Sequence, residues 1–368
     1  MDVGSRRWLR SLDWGLLALT LLLAASGVVL IYSATHAKAS PHLQASYIKQ
    51  LWWLLVGLVG LVVTLMVDYR LIARYSYVLY GLCLVALVYV LFFGPVVAGA
   101  KRWLVIGPVR YQPSEFMKVA LVLALARYTA DVRREKALRL RHLIVPALLV
   151  AAPIILIAKE PDLGTATMLG LVAGGMVLVS GVERRAILVV AAALLAATPF
   201  GWTMLKDYQK SRLLTLLDPT SDPLGAGYHV IQSKIAIGSG GMLGKGLMQG
   251  TQGRLNFLPA QHTDFIFSVA AEEVGFVGAT CLLLLFLGFL LKGIEVAFQA
   301  KDRFGAMTAV GLTWMLTLYV TFNIGMTVGL LPVVGIPLPL VSYGGSSLVA
   351  TMLAVGLLLN IKLRKFAY

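Results

Sequence analysis

Charged residues are scarce in this chain. Asp, Glu, Lys and Arg make up only 13% of its 368 residues, whereas 59% are hydrophobic. A soluble domain of this size does not need so much apolar surface, which excludes an ordinary globular protein. Only helical bundles and closed barrels satisfy their backbone polar groups inside lipid. The apolar runs are about 17–25 residues long, the length of a spanning helix rather than a barrel strand. We therefore predict an all-α polytopic membrane protein.

Cysteine and acidic residues are also few. Cys83 and Cys281 lie in apolar runs and fit no metal-ligand spacing, so we expect both to be packing residues. Only 17 acidic residues oppose 32 basic ones, which gives a net charge of +15. In a soluble protein that charge would suggest nucleic acid. In a membrane protein it fits cytoplasmic loops rich in Lys and Arg and attraction to anionic lipid, so no nucleic-acid partner is expected.

A nucleotide-binding fingerprint is missing, although residues 238–253 contain seven glycines. Ser239 stands where a P-loop ending in Gly244-Lys245 needs its first glycine, and Leu243 breaks the dinucleotide pattern. Backbone amides freed by glycines could still cradle a pyrophosphate beside Lys234 and Lys245. A flexible hinge is the alternative that this composition leaves open.

Apolar runs predict about ten transmembrane helices. They lie near residues 14–34, 51–68, 75–94, 114–130, 143–159, 165–181, 186–205, 265–291, 306–330 and 343–361. An even number of spans puts both termini on one side. With the termini inside, the inner ends of the spans carry most of the Lys and Arg residues found in short connections. We therefore expect both termini to be cytoplasmic.

One connection is far longer than the others. Residues 206–264 predict a long extracytoplasmic loop between spans 7 and 8, within a single transmembrane domain covering 1–368. A connection of this length is expected to carry function. Many of the acidic residues fall on or near the same outer face, so we expect any chemistry there, with part of the active site on 206–264.

Asp264 ends this long loop directly before an apolar run. A charge at that boundary is costly unless it is used or paired, although capping the next helix is an alternative role. Glu115 and Lys118 are three residues apart at a helix start, so they form either an interfacial ion pair or a charged cavity wall. Asp162 lies between two apolar runs and either caps a helix or lines a cavity.

Two further features lie near the outer membrane boundary. Glu272 and Glu273 lie two turns beyond Asp264 and either line a cavity or pack against a cation. Three prolines and three glycines in 331–345 break any helix there. Broken backbone at membrane depth is tolerated only when it is buried in protein or lines a cavity.

Six segments of the chain, in order, resemble the SEDS family of membrane proteins. They read GAKRW at 99–103, QPSEFMK at 112–118, EPDLGTA at 160–166, QSKIAIGSGG at 232–241, LPAQHTDFIFSVAAEEVG at 258–275 and GLLPVVGIPLPLVSYGGS at 329–346. The last two segments look like the RodA branch rather than the FtsW branch. Glu160 is a departure, because RodA-type sequences often carry Gln there.

The resemblance implies a peptidoglycan glycosyltransferase with ten spans. Such an enzyme polymerises lipid II into glycan strands at the outer face of the bacterial cytoplasmic (inner) membrane during cell elongation, with a class B penicillin-binding protein as partner. The reaction inverts the configuration at the anomeric carbon of the donor sugar and releases undecaprenyl pyrophosphate. The family's catalytic aspartate corresponds to Asp264, and inversion needs such a base. The leaving pyrophosphate needs cations. A divalent cation remains an open alternative, and no cofactor is assigned with certainty.

The predicted substrate-binding residues combine these lines of reasoning. They are Arg102, Arg110, Glu115, Lys118, Asp162, Gln232, Lys234, Lys245 and His262. The competing function is a lipid II flippase or transporter, and a scaffold for a synthase complex is a third reading. Transporters commonly contain internal repeats and charges near the middle of the bilayer. This sequence shows no repeat and concentrates its charges at one face, which favours the enzyme.

Overall fold

The structure is a computed structural model that describes residues 12–36, 44–97, 99–107, 109–132, 138–222, 225–254 and 260–366. The first half contains α1 Trp14–Thr35, α2 Ser46–Met66, α3 Tyr69–Arg74, α4 Ser76–Phe93, β1 Leu104–Ile106, β2 Val109–Tyr111, α5 Pro113–Val132, α6 Ile144–Lys159 and α7 Leu163–Val179. The second half contains α8 Arg184–Met204, α9 Asp207–Leu217, α10 Ala226–Ser239, α11 Thr251–Arg254, α12 Ile266–Gln299, α13 Arg303–Thr327 and α14 Gly345–Leu363.

A helix lies at each of the ten predicted spans, so the chain is a helical membrane protein. Within the described ranges, eight helices are long and apolar enough to cross a bilayer. The other two are α7, which has 17 residues, and α5, which carries Glu115, Lys118, Arg127 and Asp131. The number of ten spans therefore stays a prediction. Several basic residues used to orient the chain, Arg6, Arg7, Arg10, Arg133, Arg134 and Lys136, lie outside the described residues.

Two of the connections between predicted spans, 95–113 and 206–264, have secondary structure of their own. In the first, β1 and β2 pair as an antiparallel hairpin, with Val105 opposite Arg110. The segment 206–264, predicted as a loop, contains α9, α10, α11 and a 3₁₀ turn at Pro219–Ser221. Helix α10 packs against α12. The described part of this segment is thus largely helical.

The centre of the bundle is formed by α13 and α14. In these two helices, 72% and 78% of the membrane-spanning stretch is buried. Close approach between α14 and α2 depends on small residues. A Cβ on Gly356 would lie 2.0 Å from Oγ1 of Thr64, and one on Gly345 would lie 2.2 Å from the Trp53 ring. By contrast, only 6% of the membrane-spanning stretch of α8 is buried. Helices α13 and α14 are therefore enclosed by the rest of the bundle, whereas α8 lies at its periphery.

Helix α12 is broken at Gly275, where φ is +66°. The glycine-rich segment fills this break with backbone hydrogen bonds. The amide of Gly246 donates to the Glu273 carbonyl at 2.9 Å, and the amide of Phe276 donates to the Gly241 carbonyl at 2.9 Å. These contacts satisfy groups that the break in the helix would otherwise leave exposed to lipid.

The same contact explains why this segment is rich in glycine. A Cβ on Gly240 would lie 2.0 Å from the Ala271 carbonyl oxygen, and one on Gly244 would lie 2.2 Å from that of Glu273. Lys245 also donates its amide to the Glu272 carbonyl at 3.0 Å. Close backbone packing therefore engages the amides of Lys245 and Gly246, two of those considered for a pyrophosphate cradle.

Candidate active site

A polar cavity of about 350 Å³ lies at the end of the bundle that the sequence predicts to face outward. Its walls come from the start of α5, the start of α7, α9, the turn before α12, the outer part of α13 and the segment 334–347. The cavity gathers five of the predicted residues from four separated segments: Arg102, Glu115, Lys118, Asp162 and Asp264. The segment 331–345, whose prolines and glycines interrupt the helix, lines this cavity. Lining a cavity is one of the two situations in which non-helical backbone is tolerated at membrane depth.

Asp264 is partly exposed to the cavity. The capping position of α12 is Phe265, so the Asp264 side chain does not cap that helix. Among the described residues no donor bonds the Asp264 carboxylate, and its pKa is raised to about 6 by burial. Asp162 adds to that rise, whereas Arg212 opposes it. The group is therefore mostly ionised at neutral pH and still basic enough to accept a proton.

Glu115 and Lys118 form a buried ion pair with a Nζ–Oε1 distance of 2.8 Å. Their residues are only 7% and 3% exposed, which distinguishes them from a pair at the lipid rim. Tyr319 donates its hydroxyl to the other Glu115 oxygen at 2.9 Å, and the Lys118 ammonium lies 4.5 Å from the Tyr319 ring centroid. The charges compensate one another inside the protein, and all three residues line the cavity.

Asp162 has both of the roles that its sequence position suggested. It caps α7, accepting from the Thr165 amide at 3.2 Å and from the Thr165 hydroxyl at 3.0 Å. It also faces the cavity, where the Arg102 guanidinium lies 3.9 Å away. Arg102 donates to the backbone carbonyls of Glu160 and Pro161. The hairpin segment is thereby tied to the turn between α6 and α7.

Glu160 lies in that turn, 1% exposed, with no hydrogen-bond partner for its Oε1 atom. Burial raises the pKa of Glu160 to about 8, and Asp162 adds to the rise while Arg102 opposes it. The carboxyl group is therefore protonated at neutral pH. A protonated Glu resembles Gln in shape and in offering a donor and an acceptor, so the departure at this position does not add a charge to the site.

The remaining predicted residues do not line this cavity. Lys245 is bound by the buried Glu272, with 2.7 Å between Nζ and Oε1. Glu272 also accepts from the amides of Thr251 and Gln252, so its role is packing against a cation and a helix start. Glu273 accepts from the Ser33 hydroxyl at 2.7 Å rather than from a cation.

Four further predicted residues are not among those that line the cavity. Arg110 is exposed on β2, and Lys234 is exposed on α10 beside Gly329. Gln232 is half-buried on α10. The His262 ring lies 5.6 Å from the Tyr343 ring, which itself lines the cavity. A role for any of these four in substrate binding stays a prediction.

Among the cavity residues that sequence reasoning missed, Arg212 and Tyr319 contact or influence its charged groups. Arg212 is exposed on α9 and its charge favours the ionised form of Asp264. The basic cluster Lys206, Lys210 and Arg212 in an outer segment was a usable signal for it. No local signal marked Tyr319, which lies in an apolar run. Within the described ranges no group of three or more His, Cys, Asp or Glu side chains is arranged to hold a metal ion.

Comparison with known proteins identifies the family. The profile of FtsW, RodA and SpoVE, described as a cell cycle protein, matches residues 13–366. The chain belongs to the FtsW/RodA/SpoVE family. The match includes every residue that lines the cavity. The family resemblance found in the sequence is therefore confirmed.

Two similar proteins illustrate how much of the chain this family resemblance covers. The peptidoglycan glycosyltransferase MrdB of Escherichia coli K12 is 46% identical over 308 residues, which cover 83% of this chain and 82% of MrdB. Stage V sporulation protein E of Bacillus subtilis 168 is 38% identical over 356 residues, covering 95% of this chain and 96% of that protein.

Solved structures of the family share the fold. RodA of Thermus thermophilus is 30% identical and superposes with a TM-score of 0.71 over 97% of this chain and 98% of that one. A chain from a peptidoglycan synthase complex, described as coordinating polymerization and crosslinking, is 35% identical. It superposes with a TM-score of 0.82 over 97% of this chain and 99% of that one.

Proposed function

We propose that this chain is a peptidoglycan glycosyltransferase that polymerises lipid II into glycan strands. The reaction releases undecaprenyl pyrophosphate and inverts the configuration at the anomeric carbon of the donor sugar. The observation that carries the proposal is the Asp264 carboxylate, which faces a polar cavity and is bonded by no donor in the described part of the chain. The name of the MrdB relative supports the same reaction class.

Asp264 acts as the general base in this proposal. The 4-hydroxyl of one membrane-anchored sugar attacks the anomeric carbon of another, and the proton of that hydroxyl passes to the carboxylate. A general base works best when its pKa lies near the working pH. The raised pKa of Asp264, about 6, meets that requirement while leaving most of the group ionised at pH 7. The basic form is then the form that binds the acceptor.

Cavity cations stabilise the departing pyrophosphate. Arg212 is exposed and no carboxylate lies against it closely enough to form an ion pair in the described structure, so it is available to an anion. Arg102 offers a second guanidinium that is partly engaged by backbone carbonyls. Guanidinium groups bind phosphate oxygens through paired charge-assisted hydrogen bonds. Lys118 is instead neutralised by Glu115, so its role is to shape the cavity wall.

The cellular setting follows from the same proposal. Both termini lie in the cytoplasm and the cavity opens toward the outer face of the bacterial inner membrane, because the short predicted inner connections carry most of the Lys and Arg residues. A class B penicillin-binding protein is the proposed partner. The match to a chain from a peptidoglycan synthase complex supports that partner.

Purified protein incubated with lipid II tests the proposal directly. We expect glycan polymer resolved by gel electrophoresis, and no polymer from Asp264→Asn at equal folded concentration. The reaction is run in detergent, where a flippase has no second membrane face to deliver lipid to, so polymer excludes a purely transporting protein. Absence of polymer from wild-type protein, both alone and with a class B penicillin-binding protein, would overturn the proposal. Adding a chelator decides whether a divalent cation assists Arg212.

A further inference from the structure

Asn323 is a fully buried amide in the outer half of α13, 0% exposed. Its Nδ2 atom donates two hydrogen bonds, to the Asp264 carbonyl at 2.9 Å and to the Ile336 carbonyl at 2.8 Å. A side-chain amide has two hydrogens on nitrogen, so both are used. One side chain thus joins the turn before α12 to the broken segment after α13, which are separate in sequence.

These two segments lie side by side in the wall of the cavity. Gly335 precedes Ile336, and a Cβ on Gly335 would lie 3.5 Å from Oδ2 of Asp264. Gly335 has φ of +72°, a conformation that glycine adopts without strain. The Asn323 amide therefore holds the Asp264 backbone and the wall next to its carboxylate at one fixed separation.

The neighbouring carbonyls of the same turn are held as well. Ser342 donates its hydroxyl to the Thr263 carbonyl at 2.5 Å and accepts the Leu338 amide at 2.9 Å. The Tyr343 amide donates to the His262 carbonyl at 2.9 Å. Three successive carbonyls, from His262 to Asp264, are bonded to segments that line the cavity. The backbone is immobilised while the Asp264 carboxylate stays free for substrate.

We infer that Asn323 is a positioning residue for the Asp264 carboxylate. This rests on the proposed function, in which Asp264 is the base. A base must reach within hydrogen-bond distance of the proton that it removes, and displacement of about 1 Å can lower the rate about a hundredfold. Replacing Asn323 removes both donors and frees the turn, so the chemical step slows more than substrate binding weakens.

The chain offers a matched control in Asn360, which is also 0% exposed. Its Nδ2 donates to the backbone carbonyls of Thr64 and Val67. Asn360 is fifteen residues along α14 from Gly345, which lines the cavity, so it lies about 22 Å further along the helix. Asn360→Leu loses the same kind of bonds to two carbonyls, together with a hydrogen bond that Arg364 donates to Oδ1 at 3.1 Å, but leaves the turn of Asp264 untouched.

The experiment compares Asn323→Leu with Asn360→Leu in full-length protein, with Asn323→Ala as a second variant if the leucine does not fold. We expect kcat for lipid II polymerisation per folded molecule to fall about tenfold to a hundredfold in the Asn323 variant, with KM little changed. Asn360→Leu should retain wild-type kcat.

Hydrogen exchange of amides 260–265 gives a readout that is independent of catalysis. Exchange should accelerate in Asn323→Leu and stay at the wild-type rate in Asn360→Leu. Equal kcat and equal exchange in the two Asn variants would overturn the positioning role. Polymer made normally by Asp264→Asn would instead overturn the proposed base while leaving the exchange result valid, so the two failures are distinguishable.

Discussion

The hydroxyl of Tyr319 lies 2.9 Å from Oε2 of Glu115, and this contact joins the centre of α13 to the first turn of α5. Lys118 binds the other oxygen of the same carboxylate at 2.8 Å. The result is an arrangement of one anion, one cation and one phenol that are all buried in the wall of the cavity. Such an arrangement is stable only when all members are present, because a lone buried charge is strongly penalised.

Lys118→Met should therefore destabilise the protein by about 3–5 kcal/mol, since Glu115 is left buried without its cation. Adding Glu115→Gln should restore part of that loss. The control is Arg127→Met on the same helix, which breaks an exposed pair with Asp131 at 2.9 Å and should cost at most about 1 kcal/mol. Unfolding in detergent measures all three. Equal losses for Lys118→Met and Arg127→Met would show that burial does not set the cost.

The polymerisation rate should fall as the pH drops through about 6. The pKa of Asp264 is raised to about 6, so the carboxylate becomes protonated below that pH and can no longer accept the proton of the acceptor hydroxyl. Well below pH 6, the rate should decrease about tenfold per pH unit. Initial rates of glycan formation between pH 5 and 8 provide the measurement. A flat profile in this window would contradict the assignment of the base.

The same raised pKa of Asp264 predicts that the inactive variant is the more stable one. The folded state holds this proton up to about pH 6, whereas the unfolded chain releases it near the ordinary value of 3.8. The ionised group therefore lowers folding stability progressively as the pH rises from about 4 to 6. Asp264→Asn removes that cost, so its gain in unfolding midpoint over wild type should be larger at pH 7 than at pH 4. An equal difference at both values would refute the linkage.

Arg212→Gln should lower polymerisation by about tenfold or more without destabilising the fold, because Arg212 is exposed and faces the cavity. Lys245→Gln is the contrasting variant. Its partner Glu272 is buried, so stability should fall while the activity of each folded molecule is retained. Kinetics normalised to folded protein separate the two effects. A larger kinetic loss at Lys245 than at Arg212 would return the pyrophosphate site to the glycine-rich segment.

Gly240→Ala should destabilise the protein by about 2 kcal/mol or more, because its Cβ would lie 2.0 Å from a backbone oxygen of α12. Gly238→Ala, two residues earlier, is the control. No atom lies within 4 Å of that Cβ position and the residue belongs to α10, so the change should be neutral or stabilising. Unfolding midpoints of the two variants test whether the segment is packed or a flexible hinge.

The amino-acid sequence by itself determined where the ten helices of the predicted spans lie, although not the helices within 206–264. Lipid requires each spanning segment to satisfy its own backbone, so the lengths of the apolar runs predicted all ten helix positions. The sequence also indicated that Asp264 has a role, because a charge at the boundary of an apolar run is costly unless it is used or paired. These inferences depend on local composition, which one stretch of chain carries alone.

Only the tertiary structure decided which charges meet. Lys118 and Lys245 were both predicted to bind substrate, yet Lys118 lines the cavity beside Tyr319, whereas Lys245 is bound by Glu272 and does not line it. Asn323 and Arg212 acquired their significance from partners far away along the chain. Such contacts are set by how helices pack and where a broken segment returns, and neither is encoded in a periodic pattern.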